Sequence, residues 1–208
     1  MTLVAAAALV PLLAVAAPRS AAPPGRAAEL VDVARAIPDA TIDLRYATPR
    51  NGVGRTMYPP GSRCLLLRPV AERLARAAAR LRRRGFTLRI WDCYRPSSVQ
   101  RELWRVQPTP GLVADPRTGS HHNRAAAVDV ALAGPGGAEV ELPTDFDDFG
   151  PRARAGATSG VSPAARRHRD LLRAALLAEG FRPVRLEWWH FDAPEARGAP
   201  LLDVPLPP

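Results

Sequence analysis

Four short segments of the 208-residue chain concentrate ionisable and aromatic side chains: Trp91-Asp92-Cys93-Tyr94-Arg95-Pro96, Ser120-His121-His122-Asn123-Arg124, Val128-Asp129-Val130 and Glu187-Trp188-Trp189-His190-Phe191. Three of the four histidines lie in them. A catalytic zinc takes three protein ligands from His and carboxylate and keeps one position open. A loop histidine, Asp129 and the distant His190 can supply that set for one zinc per chain; spacing alone leaves His121 and His122 as equal candidates for the first ligand. Asp129 is otherwise hard to explain, because an unpaired carboxylate in a strand of Ala and Val carries a large desolvation penalty that a bound cation removes.

A zinc site acidifies water, and a neighbouring carboxylate can take the proton and pass it to a leaving amine. Glu187, three residues before His190, is the candidate base. A flat strand would put the two on opposite faces, so a bulge or turn is expected between them. An attacked amide develops negative charge on its oxygen, which a fixed guanidinium can stabilise. Arg95 is the candidate, its backbone held out of the helical region by Pro96. Each residue also has a plainer explanation. A histidine beside Trp is commonly a core residue, Arg95 can pair with Asp92, and Trp188 and Trp189 can be packing alone. His168, between Arg167 and Arg169, reads as a solvated surface residue.

The elements that must position these groups follow from periodicity. Val70, Leu74, Ala77, Ala78 and Leu81 recur at helical spacing and Gly85 follows as a stop, so a helix begins near Leu67. Helices are also expected over Ser97–Val106 and Pro163–Glu179, the latter stopped by Gly180. Strands are expected at Ala40–Ala47, Thr87–Cys93, Ala125–Leu132 and Arg185–Asp192. Residues 49–62, with Asn51-Gly52 and Pro59-Pro60-Gly61, must be loop, and Gly150–Val161 reads as a flexible segment near the cleft. Strands and helices alternate without a Gly-rich phosphate loop. The expected fold is α+β, a small and largely antiparallel sheet packed with a few helices.

Composition narrows the classes. The chain suits one globular domain, and its formal net charge of +9 comes with 29 basic residues that are all Arg. They form no patch interleaved with aromatics, and the run Arg82-Arg83-Arg84 falls where a helix ends and cations complement its dipole. No nucleic-acid partner is expected. Residues 1–17 hold an apolar run closing on Ala14-Val15-Ala16, which reads as an export signal although no Lys or Arg precedes it. The run is short for a membrane span and no Cys follows it closely, so no stable membrane anchor is expected. Residues 18–26 read as a flexible leader and 27–208 as the catalytic domain. A periplasmic or extracellular location would permit a disulfide between Cys64 and Cys93; two buried free thiols are the alternative.

Together these motifs resemble the VanX-like D-alanyl-D-alanine dipeptidases, zinc peptidases related to D,D-carboxypeptidases. The resemblance runs from about Ile42 to Phe191. It rests on Ser120-x-His122 followed by Asp129, on Glu187-Trp188-Trp189-His190, on Tyr94-Arg95-Pro96, and on Asp43-Leu44-Arg45-Tyr46-Ala47-Thr48. It implies His122 rather than His121 as a ligand with Asp129 and His190, Glu187 as base, and Arg95 as the transition-state arginine. It also implies a substrate-binding role for Ser120 and for Asp147, which would hold the free amino group of a dipeptide. Ala125 and Pro143 stand where the family commonly has Gly. The implied activity is hydrolysis of D-Ala-D-Ala to free D-alanine. D,D- or L,D-carboxypeptidase trimming of cell-wall peptides, or a non-catalytic zinc-binding cell-wall module, are the alternatives.

Overall fold

The apolar stripe Val70, Ala71, Leu74, Ala77, Ala78 and Leu81 folds Arg68–Arg82 into a helix that buries this whole face. A computed structural model describes residues 29–109 and 111–208. The export signal and leader expected at 1–17 and 18–26 lie outside the described residues. In chain order the elements are β1 (Leu30–Asp32), α1 (Val33–Ala36), β2 (Thr41–Ile42), β3 (Leu65–Leu67), α2 (Arg68–Arg82), β4 (Thr87–Asp92), α3 (Ser97–Val106), β5 (Ala127–Ala133), α4 (Pro163–Leu177), β6 (Arg182–Pro183) and β7 (His190–Asp192).

A five-stranded sheet runs in the order β2-β4-β5-β7-β6, and β1 and β3 form a separate antiparallel pair. Within the larger sheet only β2 and β4 are parallel, so the fold is α+β with a largely antiparallel sheet. α2 packs on β4, α4 on β5, and the two helices on each other. Leu74, Leu81, Leu88, Leu172 and Leu176 are fully buried between these layers, each contributing about 1.5–3 kcal/mol of transfer free energy. Local signals end the helices. After α2, Gly85 at φ +78° lets the Phe86 N–H return to the Leu81 carbonyl; α4 starts with the Ser162 hydroxyl accepting from the Ala165 N–H.

Three expectations need correction. The strand expected over Ala40–Ala47 stops at Ile42, and Arg45–Ala47 is a 3-10 turn. That turn brings the buried Arg45 guanidinium to Asp43 and Asp145 and the Tyr46 hydroxyl to Asp147. The strand expected over Arg185–Asp192 exists only from His190 onward. Trp188 and Trp189 are both buried, and consecutive strand residues point to opposite faces. A turn instead lets both rings meet Trp91, at centroid distances of 5.6 and 6.4 Å. Residues 150–161 do not hang free beside this turn: the backbone N–H groups of Trp188 and Ala155 bond to the carbonyls of Ala153 and Arg185.

Candidate metal centre and catalytic cleft

Strand register builds the centre of the site. Asp129 of β5 lies opposite Asp92 of β4 and opposite His190 of β7, and directly opposed residues share a face of the sheet. A register irregularity between Ile90 and Asp92 re-aims the end of β4. His122 enters from the loop before β5, on a 3-10 turn closed by Ala125 in the left-handed conformation (φ 51°, ψ 33°). The strain of that conformation, roughly 1–2 kcal/mol, is comparable with what a fully buried methyl group contributes. The Ala125 methyl is fully buried and so offsets much of that strain.

The three side chains converge. His122 Nε2 is 3.2 Å from His190 Nδ1 and 3.3 Å from Asp129 Oδ2, and His190 Nδ1 is 3.0 Å from Asp129 Oδ1. Tetrahedral zinc with bonds of about 2.0–2.2 Å sets its ligand atoms about 3.3 Å apart, so the donor set and its spacing fit zinc. The outer nitrogens are fixed as well. His122 Nδ1 meets the Cys93 carbonyl at 2.6 Å and His190 Nε2 meets Asp192 Oδ1 at 2.9 Å, so a bound cation would meet the lone pairs of the inner nitrogens. His121 is exposed and its Nδ1 faces Asp192 instead, at 2.8 Å. Geometry thus separates two neighbours that spacing could not.

Without a cation the cluster holds protons tightly. Burial works against ionisation of Asp129, but the His122 and His190 rings outweigh it and keep the carboxyl far below its usual range. His190 is the converse: burial disfavours its charge, yet Asp129 and Asp192 raise its pKa well above that of free histidine. Glu187 sits just outside this trio, its Oε2 3.7 Å from His190 Nδ1. The expected turn is present, with the His190 N–H bonded to the Glu187 carbonyl. Burial pushes the Glu187 carboxyl up despite the pull of His190, towards the range useful for a general base.

Arg95 both pairs with Asp92 and lines the cleft. Its Nε and Nη2 lie 3.1 and 2.7 Å from Asp92 Oδ2, Nη1 donates to Gln100 Oε1 at 2.9 Å, and the guanidinium stacks 4.8 Å from the Tyr46 ring centre. Burial disfavours its charge, but Asp92 more than restores it. Asp92, fully buried, also accepts from the Tyr58 hydroxyl and the Cys93 N–H. Cys64 and Cys93 are joined in a disulfide, Cα–Cα 5.4 Å.

His122, Asp129, His190, Glu187, Arg95, Asp147 and Ser120 line one cleft of about 870 Å³. Asp147 takes a left-handed backbone (φ 57°), which Asp tolerates better than most residues. Its Oδ2 accepts from two neutral donors, the Tyr46 hydroxyl at 3.2 Å and the Gly52 N–H at 2.9 Å. A Cβ on Gly52 would lie 3.0 Å from the Asp147 Cβ, so glycine permits this approach. The Ser120 hydroxyl accepts the His122 N–H at 3.2 Å and keeps its own hydrogen to donate. His168 is a partly exposed surface residue that also makes contacts, its ring 5.4 Å from Phe86 and its Nδ1 2.8 Å from the Glu141 carbonyl.

Asp192, Tyr58 and Gln100 escaped the sequence reading, and Tyr46 entered it only as part of the family-like segment 43–48, without a role. Asp192 had a signal, since it follows His190 by two and shares its face of the strand. Tyr58 had none, because it reaches Asp92 from a turn-rich loop.

The family described as D-ala-D-ala dipeptidase matches residues 26–205 of this chain. The D-alanyl-D-alanine dipeptidase of Escherichia coli (strain K12) is 39% identical over 174 residues, covering 84% of this chain and 89% of its own length. The proteins of the same name from Enterococcus faecalis and Streptomyces coelicolor are 30% and 31% identical, over 79% and 74% of this chain and 87% and 85% of their own. The match takes in every residue of the convergent trio, Glu187 and Arg95. The chain belongs to the D-Ala-D-Ala dipeptidase family of metallopeptidases.

Proposed function

We propose that this chain is an exported zinc-dependent D-alanyl-D-alanine dipeptidase that releases free D-alanine. The observation that carries the reading is the placement of Asp147, a half-buried carboxylate held by neutral donors in the same cleft as His122, Asp129, His190 and Glu187. A carboxylate so placed complements a substrate ammonium, and one near the reacting bond selects a dipeptide. Zinc held by the trio would polarise the scissile carbonyl and acidify water. Glu187 takes the proton of the attacking water on a carboxylate oxygen and delivers it to the departing amine nitrogen. Arg95, its fork oriented by Asp92 and Gln100, offers N–H groups to the developing oxyanion.

Zinc titration tests the cofactor. The purified chain is expected to bind one zinc, and a chelator is expected to abolish activity that zinc restores. Because His190 binds its proton more tightly than free histidine does in the metal-free protein, cation binding displaces that proton. Zinc affinity is therefore expected to be higher at pH 8 than at pH 6, as competitive chelator titration measures. Failure to bind zinc at pH 8 refutes the reading.

Asp147 makes a second prediction. Burial lifts its carboxyl to about 7, and only the ionised form attracts an ammonium. The value of kcat/KM for D-Ala-D-Ala is expected to fall as pH drops through 7. In Asp147→Asn the part of this limb near pH 7 should disappear, leaving the limb that Glu187 contributes, with KM raised more than kcat is lowered; an unchanged limb would assign the titration elsewhere.

The cleft volume favours one competing reading, since about 870 Å³ is within the range of pockets that hold drug-sized ligands, roughly 300–1,000 Å³. Trimming of cell-wall peptides would use that extra space. D-alanine release from the dipeptide and from a muramyl pentapeptide separates the two, and preference for the pentapeptide overturns the dipeptidase assignment. Export is supported by the apolar run at 1–17 and by the disulfide chemistry of Cys64 and Cys93. Fractionation of cells producing the full chain tests it.

A further inference from the structure

The Cys64–Cys93 bridge lies in the core with both residues buried, and its position is not neutral for the metal centre. β4 ends at Asp92, so Cys93 is the first residue outside the sheet. Its carbonyl is the group that receives His122 Nδ1, at 2.6 Å. Whatever fixes that carbonyl fixes which nitrogen of His122 faces Asp129 and His190. Two residues later the Arg95 N–H bonds to the His122 carbonyl, so the same stretch carries the cleft arginine.

The other end of the bridge belongs to a different part of the fold. Cys64 leads into β3, which pairs with β1 in the separate two-stranded sheet. The Cys64 carbonyl accepts the Val33 N–H, and the Leu65 carbonyl accepts the Tyr94 N–H. The bridge thus ties the segment after β4 to the small sheet at the point where the ladder of the large sheet has stopped. Hydrogen bonds remain there without it, but a covalent tie limits the movement of the Cys93 carbonyl far more than one or two such bonds.

We infer that the Cys64–Cys93 disulfide is a positioning element of the metal centre, acting through the Cys93 carbonyl on His122, and that reducing it weakens metal binding. The inference rests on the metal reading above. Reduction needs an external two-electron donor, such as a phosphine or a dithiol, which is oxidised as the S–S bond becomes two thiols. Loss of an outer-shell partner of a metal-ligating histidine typically costs about 10–100-fold in metal affinity or activity.

The test compares three forms of the full chain: oxidised wild type, wild type reduced with a phosphine and checked by thiol alkylation and mass spectrometry, and Cys64→Ala/Cys93→Ala. Each is titrated with zinc against a chromophoric chelator, and the thermal midpoint of the metal-free form is recorded. We expect the zinc dissociation constant to rise about tenfold or more in both unbridged forms, with far-UV circular dichroism retained. If the double variant fails to fold, the reduced wild type carries the comparison. Equal zinc affinity in oxidised and reduced chains, with only the thermal midpoint lowered, makes the bridge a general staple and overturns the inference alone. Absence of zinc binding by the oxidised chain overturns the metal reading as well.

Discussion

Replacing Glu187 with Gln is expected to lower kcat for D-Ala-D-Ala by about 10²–10⁴-fold, the usual contribution of a positioned general base, while zinc content and KM change little. The distances separate the two roles. The donor atoms of His122, Asp129 and His190 lie 3.0–3.3 Å apart, whereas Glu187 stands 3.7 Å from His190, near the cluster without belonging to it. Gln preserves shape and the polar contact but cannot accept a proton. Stopped assays for D-alanine, with metal analysis of the same preparations, decide the matter. If Glu187→Gln loses zinc together with activity, Glu187 is a ligand and the base must be sought elsewhere. Because burial raises the Glu187 carboxyl in the metal-free protein, the acid limb of kcat, and not its alkaline limb, is where this group should be visible.

Arg95→Met is expected to act on stability and on rate by separable routes. Asp92 is fully buried and Arg95 is its charged partner. Removing one member of a buried pair leaves an uncompensated charge, at about 3–5 kcal/mol. The remaining donors to Asp92, the Tyr58 hydroxyl and the Cys93 N–H, are neutral and offset part of this. On rate, loss of a preorganised oxyanion donor is expected to lower kcat by about 10²–10³-fold. The double variant Asp92→Asn/Arg95→Met removes the orphaned charge, so denaturant unfolding should show most of the stability recovered while activity stays low. Recovery of both would make Arg95 a purely structural residue. Arg95→Lys is not expected to rescue either property, since an ammonium cannot reproduce the planar fork that meets Asp92 and Gln100 together.

Local regularities carried the parts of the fold that sequence revealed. α2, α3 and α4 were legible because helical hydrogen bonds join near neighbours, so a 3.6-residue apolar period with Gly beyond its end is a complete local statement. The strands at Ala40–Ala47 and Arg185–Asp192 were read too long for the opposite reason. Their ends depend on distant partners: Asp145 for Arg45, and Trp91 and Ala153 for the Trp188-Trp189 turn. No period in the chain encodes them.

The convergent His122, Asp129 and His190 trio and the neighbouring Glu187 divide along the same line. Residue chemistry alone singled out Asp129, His190, Glu187 and Arg95, because a carboxylate within an apolar strand and a His, Asp and Glu cluster are costly without a purpose. The choice of His122 over His121 is not encoded in their adjacent positions; family likeness indicated it, and the Cys93 carbonyl and Asp192 make the physical distinction by holding one ring inward and drawing the other outward. The alignment of Asp92, Asp129 and His190 across three strands likewise belongs to the register, where a one-residue slip would turn each side chain to the other face. Sequence therefore determined which groups are available for chemistry. Tertiary structure decided which of them meet and in which protonation geometry, because ligand distances depend on contacts between residues far apart in the chain.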